Sequence, residues 1–301
     1  MNISRLSDHQ IRLTAFNWLA EKVQEYGDEV LPRTLLAEGF KYQDSRILLV
    51  SPQGIFKPKQ MELPLTITTA PQGPYDDRLD KNDLLYYKYR GEDPQHRDNV
   101  GLRKAMQQQV PLIYFYGVIP GKYLAVWPVY IVGDDPDSLT FTVAADNQLE
   151  VERDYETVKE SDTARRSYIT SAVKTRLHQK GFRERVLAAY QSQCSFCQLK
   201  RTELLDASHI IPDEEEGPPT VDNGLALCKI HHTAYDRMLI GVTPDYEINV
   251  RKDVLDDEDG PMLLHGLQEL HGRELILPKE QDDWPNEEYL DWRYERFKKA
   301  V

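Results

Sequence analysis

The residues with chemical potential sit together in one short region. Cys194 and Cys197 enclose two residues, Cys228 and His231 enclose two more, and these pairs take up every cysteine of the chain. An odd, clustered set of three cysteines is a poor disulfide framework and a good metal framework. Two such knuckles offer three sulfurs and one nitrogen, a set that suits tetrahedral Zn2+. Four protein ligands leave no open position for water, so this zinc is expected to be structural. Its task is to pin a segment too short to build its own core.

A second group lies between and after the knuckles. It reads LLDASHIIP over 204–212, VDNGLALC over 221–228 and HHTAYDRML over 231–239. His209 stands near the end of a β-type run closed by Pro212, and a neutral imidazole is a suitable general base near pH 7. His232 and Asp236 are four residues apart, so a helix over 229–238 places both on one face. One imidazole and one carboxylate there suit Mg2+ or Mn2+, with waters and phosphate completing the shell. Asn223 precedes a glycine, and its amide can hydrogen-bond across the loop to hold the strand of His209. A base, a divalent ion and a rigid scaffold are what hydrolysis of a phosphodiester requires.

In this order and spacing the segments resemble the HNH (ββα-metal) endonuclease family, in the branch whose last metal ligand is Asp. The resemblance implies that His209 is the general base and Asn223 the loop brace. It implies His232 and Asp236 as ligands of the catalytic ion, and Cys194, Cys197, Cys228 and His231 as those of zinc. One position departs from the pattern. Many members carry Asp or His just before the base, as a further metal ligand, where this chain has Ser208. Two side chains rather than three then hold the ion, so its binding leans on the DNA phosphate.

Other elements must position this group. A helix over 7–26, capped by Ser7 or Asp8, puts Ile11, Ala15, Phe16, Leu19 and Val23 on one face. From Arg46 the texture turns to short β-type runs: RILLVS, LPLTITT, VPLIYFYGV, KYLAVWPVYIV and SLTFTVAA. A helix over 101–108 interrupts them, and the module closes near Asn147. The pattern predicts a compact curved sheet or small barrel. Residues 164–190 read as helix broken at Gly181, and Tyr289, Trp292 and Phe297 of a terminal amphipathic helix are expected to pack on the body.

Within the β-rich region, GPYDD at 73–77, DLLYYKYRGED at 83–93 and DNVGLRKA at 98–105 resemble the SRA (YDG) family, a PUA-like fold that flips modified cytosine from the duplex. A flipped base needs flat faces above and below and a hydrogen-bonding edge. Tyr75 and Tyr89 are candidates for the sandwich, and Asp76 or Asp77 for accepting from the cytosine amino group. The expected fold is α+β. A PUA/SRA-like recognition domain spans 1–149, a helical linker 150–190, and a zinc-supported ββα-metal domain 191–301. Together the two resemblances imply a modification-dependent, type IV-like restriction endonuclease that cuts near 5-methyl- or 5-hydroxymethylcytosine. Other readings are a nuclease specific for sequence, structure or phosphorothioate linkage, a non-catalytic zinc-stabilised DNA reader, and an RNA-directed PUA-like module.

The formal charge of −13 argues against nucleic-acid binding taken alone. It is unevenly spread: nine Lys or Arg lie between Arg165 and Arg201 against one acid, Glu184. Arg165, Arg166, Lys174 and Arg176 are therefore candidate phosphate contacts. No apolar run approaches a membrane span and no signal peptide stands out, so a cytoplasmic location is expected. One HNH site cuts one strand, which favours a homodimer for double-strand breaks in DNA.

Overall fold

The computed structural model describes residues 3–71, 84–147 and 160–300. The chain divides into two compact units, Met1–Lys180 and Gly181–Val301.

The first unit contains α1 (Ile3–Tyr26), β1 (Val30–Pro32), α2 (Arg33–Glu38), β2 (Phe40–Tyr42), β3 (Ser45–Ile47), β4 (Ile55–Phe56), β5 (Thr66–Thr68), β6 (Leu85–Lys88), α3 (Arg97–Gln107), β7 (Leu112–Ile119), β8 (Lys122–Asp135) and β9 (Thr140–Ala145). A seven-stranded sheet runs in the order β4-β5-β7-β8-β9-β6, with β1 also on β8. It curls into a half-barrel. Its neighbours are antiparallel except β5 and β7, which run parallel. Both faces of the sheet are covered. Leu112 and Tyr114 join a core with Phe141, Val143 and Leu102 of α3. The alternate residues Ile113 and Phe115 join another with Ile11, Ala15, Phe16 and Leu19 of α1. Burial on two faces is why β7 reads as an unbroken apolar run instead of an alternating one.

Three local expectations need correction. α1 begins before Asp8, so Asp8 is no cap. Its buried carboxylate instead accepts from the backbone N–H groups of Glu62 and Leu63. The helix predicted over 101–108 starts earlier, at Arg97, with the His96 side chain accepting from the Asp98 N–H. The break foreseen at Gly181 is absent: α4 runs from Glu160 through Ala189. Packing decides this. Val173 and Leu177 belong to a core of the first unit, and Phe182, Val186 and Leu187 to that of the second. Buried apolar residues on both sides outweigh the ~1 kcal/mol that a helical glycine costs.

Four of the stripe's nine basic residues pair with acids distant in sequence. Arg165 and Arg166 both bind the buried carboxylate of Asp146, at 2.9 and 2.8 Å. Burial pushes Asp146 up, but the two guanidinium groups hold it below the usual carboxylate range. Arg176 pairs with Glu29 and Lys180 with Asp28, each at 2.9 Å. Lys174 is half-buried on the same helix. Arg165, Arg166 and Arg176 thus serve the first unit's own acids, which a count along the chain does not reveal.

In the second unit β10 (Leu205–His209) pairs antiparallel with β11 (Gly224–Cys228), and α5 (Lys229–Asp236) follows directly, giving a ββα unit. Then come the pair β12 (Ile240–Val242) and β13 (Ile248–Val250), α6 (Lys252–Leu255), α7 (Pro261–Gly266) and α8 (Glu287–Lys299). The core joins Phe182, Val186 and Tyr190 to Leu225, Leu227, Tyr235, Ile240 and Leu290. In α8 it is Leu290, Arg293 and Phe297 that are buried, while Tyr289 and Trp292 are only half-covered.

Candidate active site and metal centre

β11 ends on Cys228 and α5 begins on the next residue, so Cys228-Lys-Ile-His231 wraps the helix's first turn. Cys194 and Cys197 face it from a tight turn after α4, where Gln191, Ser192 and Gln198 take positive φ. Ligand atoms of the four residues all lie within 4.8 Å of one another. Cys194 Sγ and Cys228 Sγ are each 3.3 Å from His231 Nδ1. On the far side of the ring, Nε2–H donates to the Gly266 carbonyl at the end of α7, at 2.7 Å. That bond fixes the tautomer and aims the Nδ1 lone pair at the sulfurs, as an outer partner of a metal-bound histidine does. The neighbouring S–H groups pull the Cys228 thiol strongly down. Burial lowers the His231 pKa, but contacts with Cys194 and Cys228 override it and raise it to about 10, so an ion taken up at Nδ1 would displace a proton there. Three sulfurs and one nitrogen converging this closely fit a tetrahedral ion of the zinc type.

His209 is the last residue of β10 and sits opposite Gly224 of β11. Its ring stacks on Phe182 of α4, with centroids 3.8 Å apart and planes 11° from parallel. Gly224 makes room for this: a Cβ there would lie 2.4 Å from Val186 Cγ2 and 2.9 Å from Phe182 Cζ. Burial lowers the pKa of His209, with the Asp213 carboxylate opposing it, so the ring is neutral at pH 7. His232 and Asp236 also act on its charge, which puts them within electrostatic reach of the ring.

Asn223 is fully buried and closes a short 3-10 turn; Gly224, after it, is already extended strand rather than part of a tight turn. Its Oδ1 accepts from the Ile211 N–H at 2.8 Å. Its Nδ2 donates to the carbonyls of Ile211 and Pro218, at 3.0 and 2.9 Å. The amide thus ties down the segment that leaves His209. Asn223→Ala would strand three backbone groups, and we expect it to cost on the order of 3 kcal/mol. Chemical denaturation of the two chains measures this; a midpoint unchanged at equal slope would refute the brace.

On α5, His232 Nε2 and Asp236 Oδ2 stand 3.3 Å apart at the surface. Two adjacent ligands of one ion, each at ~2.1 Å, are about that far from each other. Asp206 approaches the other edge of His232, with Oδ2 at 3.9 Å from Nδ1. Burial raises the Asp206 pKa, but the Lys229 ammonium at 2.7 Å wins and keeps it ionised. Ser208 is 1% exposed, and its hydroxyl donates to Asp236 Oδ1 at 3.4 Å. Ser208 thus places a hydrogen-bond donor beside the Asp236 carboxylate.

Residues 194–243 match the family model described as HNH endonuclease. They form an HNH endonuclease domain. The protein is accordingly a metal-dependent nuclease, and HNH endonucleases act on DNA. No curated protein matches the chain. Among solved structures it is similar to the modification-dependent TagI restriction endonuclease, at 16% identity and a TM-score of 0.27, over 78% of this chain and 81% of that one. It is also similar to the type IV phosphorothioation-dependent restriction endonuclease ScoMcrA, at 19% identity and a TM-score of 0.23, over 61% of this chain and 50% of that one.

The HNH domain draws on residues that motif spacing did not single out. Phe182 lies before the matched span and covers the His209 ring. Asp206 lies three residues before His209, and its signal was the carboxylate in the LDASH string. Arg293 lies beyond the matched span on α8, and nothing in the sequence pointed to it. In the first unit, Tyr89 is 6% exposed and stacks on Phe141, with centroids 4.5 Å apart. Its hydroxyl donates to Asp134. A ring held this way is part of the sheet's core in this structure. Tyr75, Asp76 and Asp77 lie outside the described residues.

Proposed function

We propose that the protein is a DNA endonuclease in which His209 deprotonates the attacking water and His232 and Asp236 hold Mg2+ or Mn2+. The observation that carries this reading is the convergence of a half-buried neutral imidazole with an imidazole–carboxylate pair 3.3 Å apart. When bound, the ion stabilises charge on the scissile phosphate and on the leaving oxygen. The chain's own residues do the rest. The His209 ring nitrogen takes the proton, while Phe182 and Gly224 keep the ring in a fixed plane. Asn223 fixes the backbone behind it, and Ser208 and Asp206 orient the two metal-binding side chains. Structural Zn2+ on Cys194, Cys197, Cys228 and His231 holds strand and helix in register.

The first unit, in this proposal, selects substrate by flipping a 5-methyl- or 5-hydroxymethylcytosine. Support comes from the GPYDD segment and from the curled sheet with its helix α3. Tyr75 and Asp76 or Asp77 are the proposed base contacts. The enzyme acts in the cytoplasm as a homodimer on double-stranded DNA, one site per strand. Among the described residues no helix is long and apolar enough to cross a membrane.

Matched duplexes carrying cytosine, 5-methylcytosine or 5-hydroxymethylcytosine, incubated with the protein and Mg2+ or Mn2+, test the specificity. Cutting confined to modified duplexes is expected. Equal cutting of all three would remove the modified-base reading and leave a nuclease of another specificity.

A further inference from the structure

Arg293 enters the nuclease site from α8, outside the span matched by the family. Its side chain is 5% exposed, and its Nε has no hydrogen-bond partner among the described residues. The guanidinium lies over the Tyr235 ring, 4.5 Å from its centroid. One terminal nitrogen donates to the Tyr235 carbonyl at 3.0 Å and lies 3.6 Å from Asp236 Oδ1. The other reaches the carbonyl of Ile210, the residue after His209, at 3.5 Å. A single planar fork therefore touches the residue that follows the base and the helix that carries the metal-binding pair.

The two oxygens of Asp236 have different neighbours. Ser208 and Arg293 approach Oδ1, while Oδ2 faces His232 Nε2. A surface carboxylate left to itself rotates between rotamers, and one fixed by a charged fork loses less freedom on taking up an ion. A buried guanidinium is also costly unless its charge is answered. Asp236 is the acid that the described residues place against it.

We propose that Arg293 is a positioning residue of the nuclease site, orienting Asp236 so that Oδ2 and His232 Nε2 share one divalent ion. This rests on the reading of His232 and Asp236 as the metal-binding pair. It also assigns a role to Ser208: the position where relatives carry a further ligand here helps to orient a remaining one.

The test uses the full chain with zinc retained and measures Mn2+ binding from the loss of the free-ion electron paramagnetic resonance signal. Arg293→Met, which keeps bulk without charge, is expected to weaken Mn2+ binding by about 10-fold or more, the range for lost outer partners. Cleavage should recover at raised Mn2+. Arg293→Lys, which keeps charge without the fork, should show a smaller loss. Zinc content and thermal midpoint report folding. If Arg293→Met does not fold, Arg293→Lys decides, and wild-type Mn2+ affinity in the folded variant overturns the inference. His209→Ala separates the two readings, since it should lose cleavage and keep Mn2+ affinity. If the wild-type chain binds Mn2+ through Asp236 but His209→Ala still cuts, the mechanism falls while Arg293 is still judged by Mn2+ affinity. A wild-type chain that binds no Mn2+ overturns both.

Discussion

Replacing His209 with alanine should lower the cleavage rate by about 10²–10⁴-fold, the usual contribution of a positioned general base. DNA affinity and zinc content should stay at wild-type values, because the ring is not one of the four zinc-binding side chains. The same residue sets the acid limb of the pH profile. Burial against Phe182 disfavours the charged imidazolium, so the ring's pKa lies below the ordinary histidine value of 6.5. The base form thus predominates at pH 7, and activity should fall as pH drops through that depressed value. Single-turnover rates from acid to neutral pH measure this. An acid limb centred above 6.5, or cleavage retained by His209→Ala, would assign proton abstraction elsewhere.

Breaking the zinc cluster should have the largest effect on the fold. Binding of structural zinc in small domains contributes about 10–16 kcal/mol at pH 7, comparable to or larger than the whole stability of a typical domain. Cys228 is expected to matter most, because it ends β11 and sits at the N-terminal edge of α5. Cys228→Ser, or exhaustive chelation of the wild-type protein, should unfold the second unit and abolish cleavage together. Elemental analysis should find one zinc per chain. Circular dichroism and limited proteolysis then report the loss of the unit. Retention of both structure and activity after zinc is gone would show that the cluster is not what holds the unit together.

The HNH span and the candidate site within it were legible because their pattern is local in sequence. Knuckle spacing, the His209 strand and the four-residue step from His232 to Asp236 are patterns of one strand and one helical turn, fixed by backbone geometry. The longer strands were legible too. β9 falls within SLTFTVAA, while β7 and β8 follow VPLIYFYGV and KYLAVWPVYIV and run past their ends to Ile119 and Asp135, because apolar β-branched and aromatic residues crowd there. Short edge strands such as β1, β4 and β6 were not, since two to four residues carry too little pattern.

Everything that depends on distant partners was hidden. Asp146 answering Arg165 and Arg166, and Asp28 and Glu29 answering Lys180 and Arg176, turn an apparent nucleic-acid stripe into internal pairing. Tyr89 looked available because tyrosine tolerates both core and surface; its burial and its stacking on Phe141 come from strands distant in sequence. Gly181 reads as a break by propensity and is carried through by packing on either side. Phe182 and Arg293 approach the site from elements before and after the motif, which no spacing rule links to it.

The aromatic floor beneath His209 has a consequence for dissection of the molecule. The matched span opens at Cys194, yet Phe182, stacked on the base, stands twelve positions upstream on α4. A fragment trimmed to the recognisable motif would keep every ligand and the base itself, and leave the imidazole bare to water on that side. Solvation would then restore a more ordinary titration and free the ring to swing. A minimal nuclease cut from this chain should therefore open at Gly181 or earlier, and its weakness if shortened further would be a defect of support, not of chemistry.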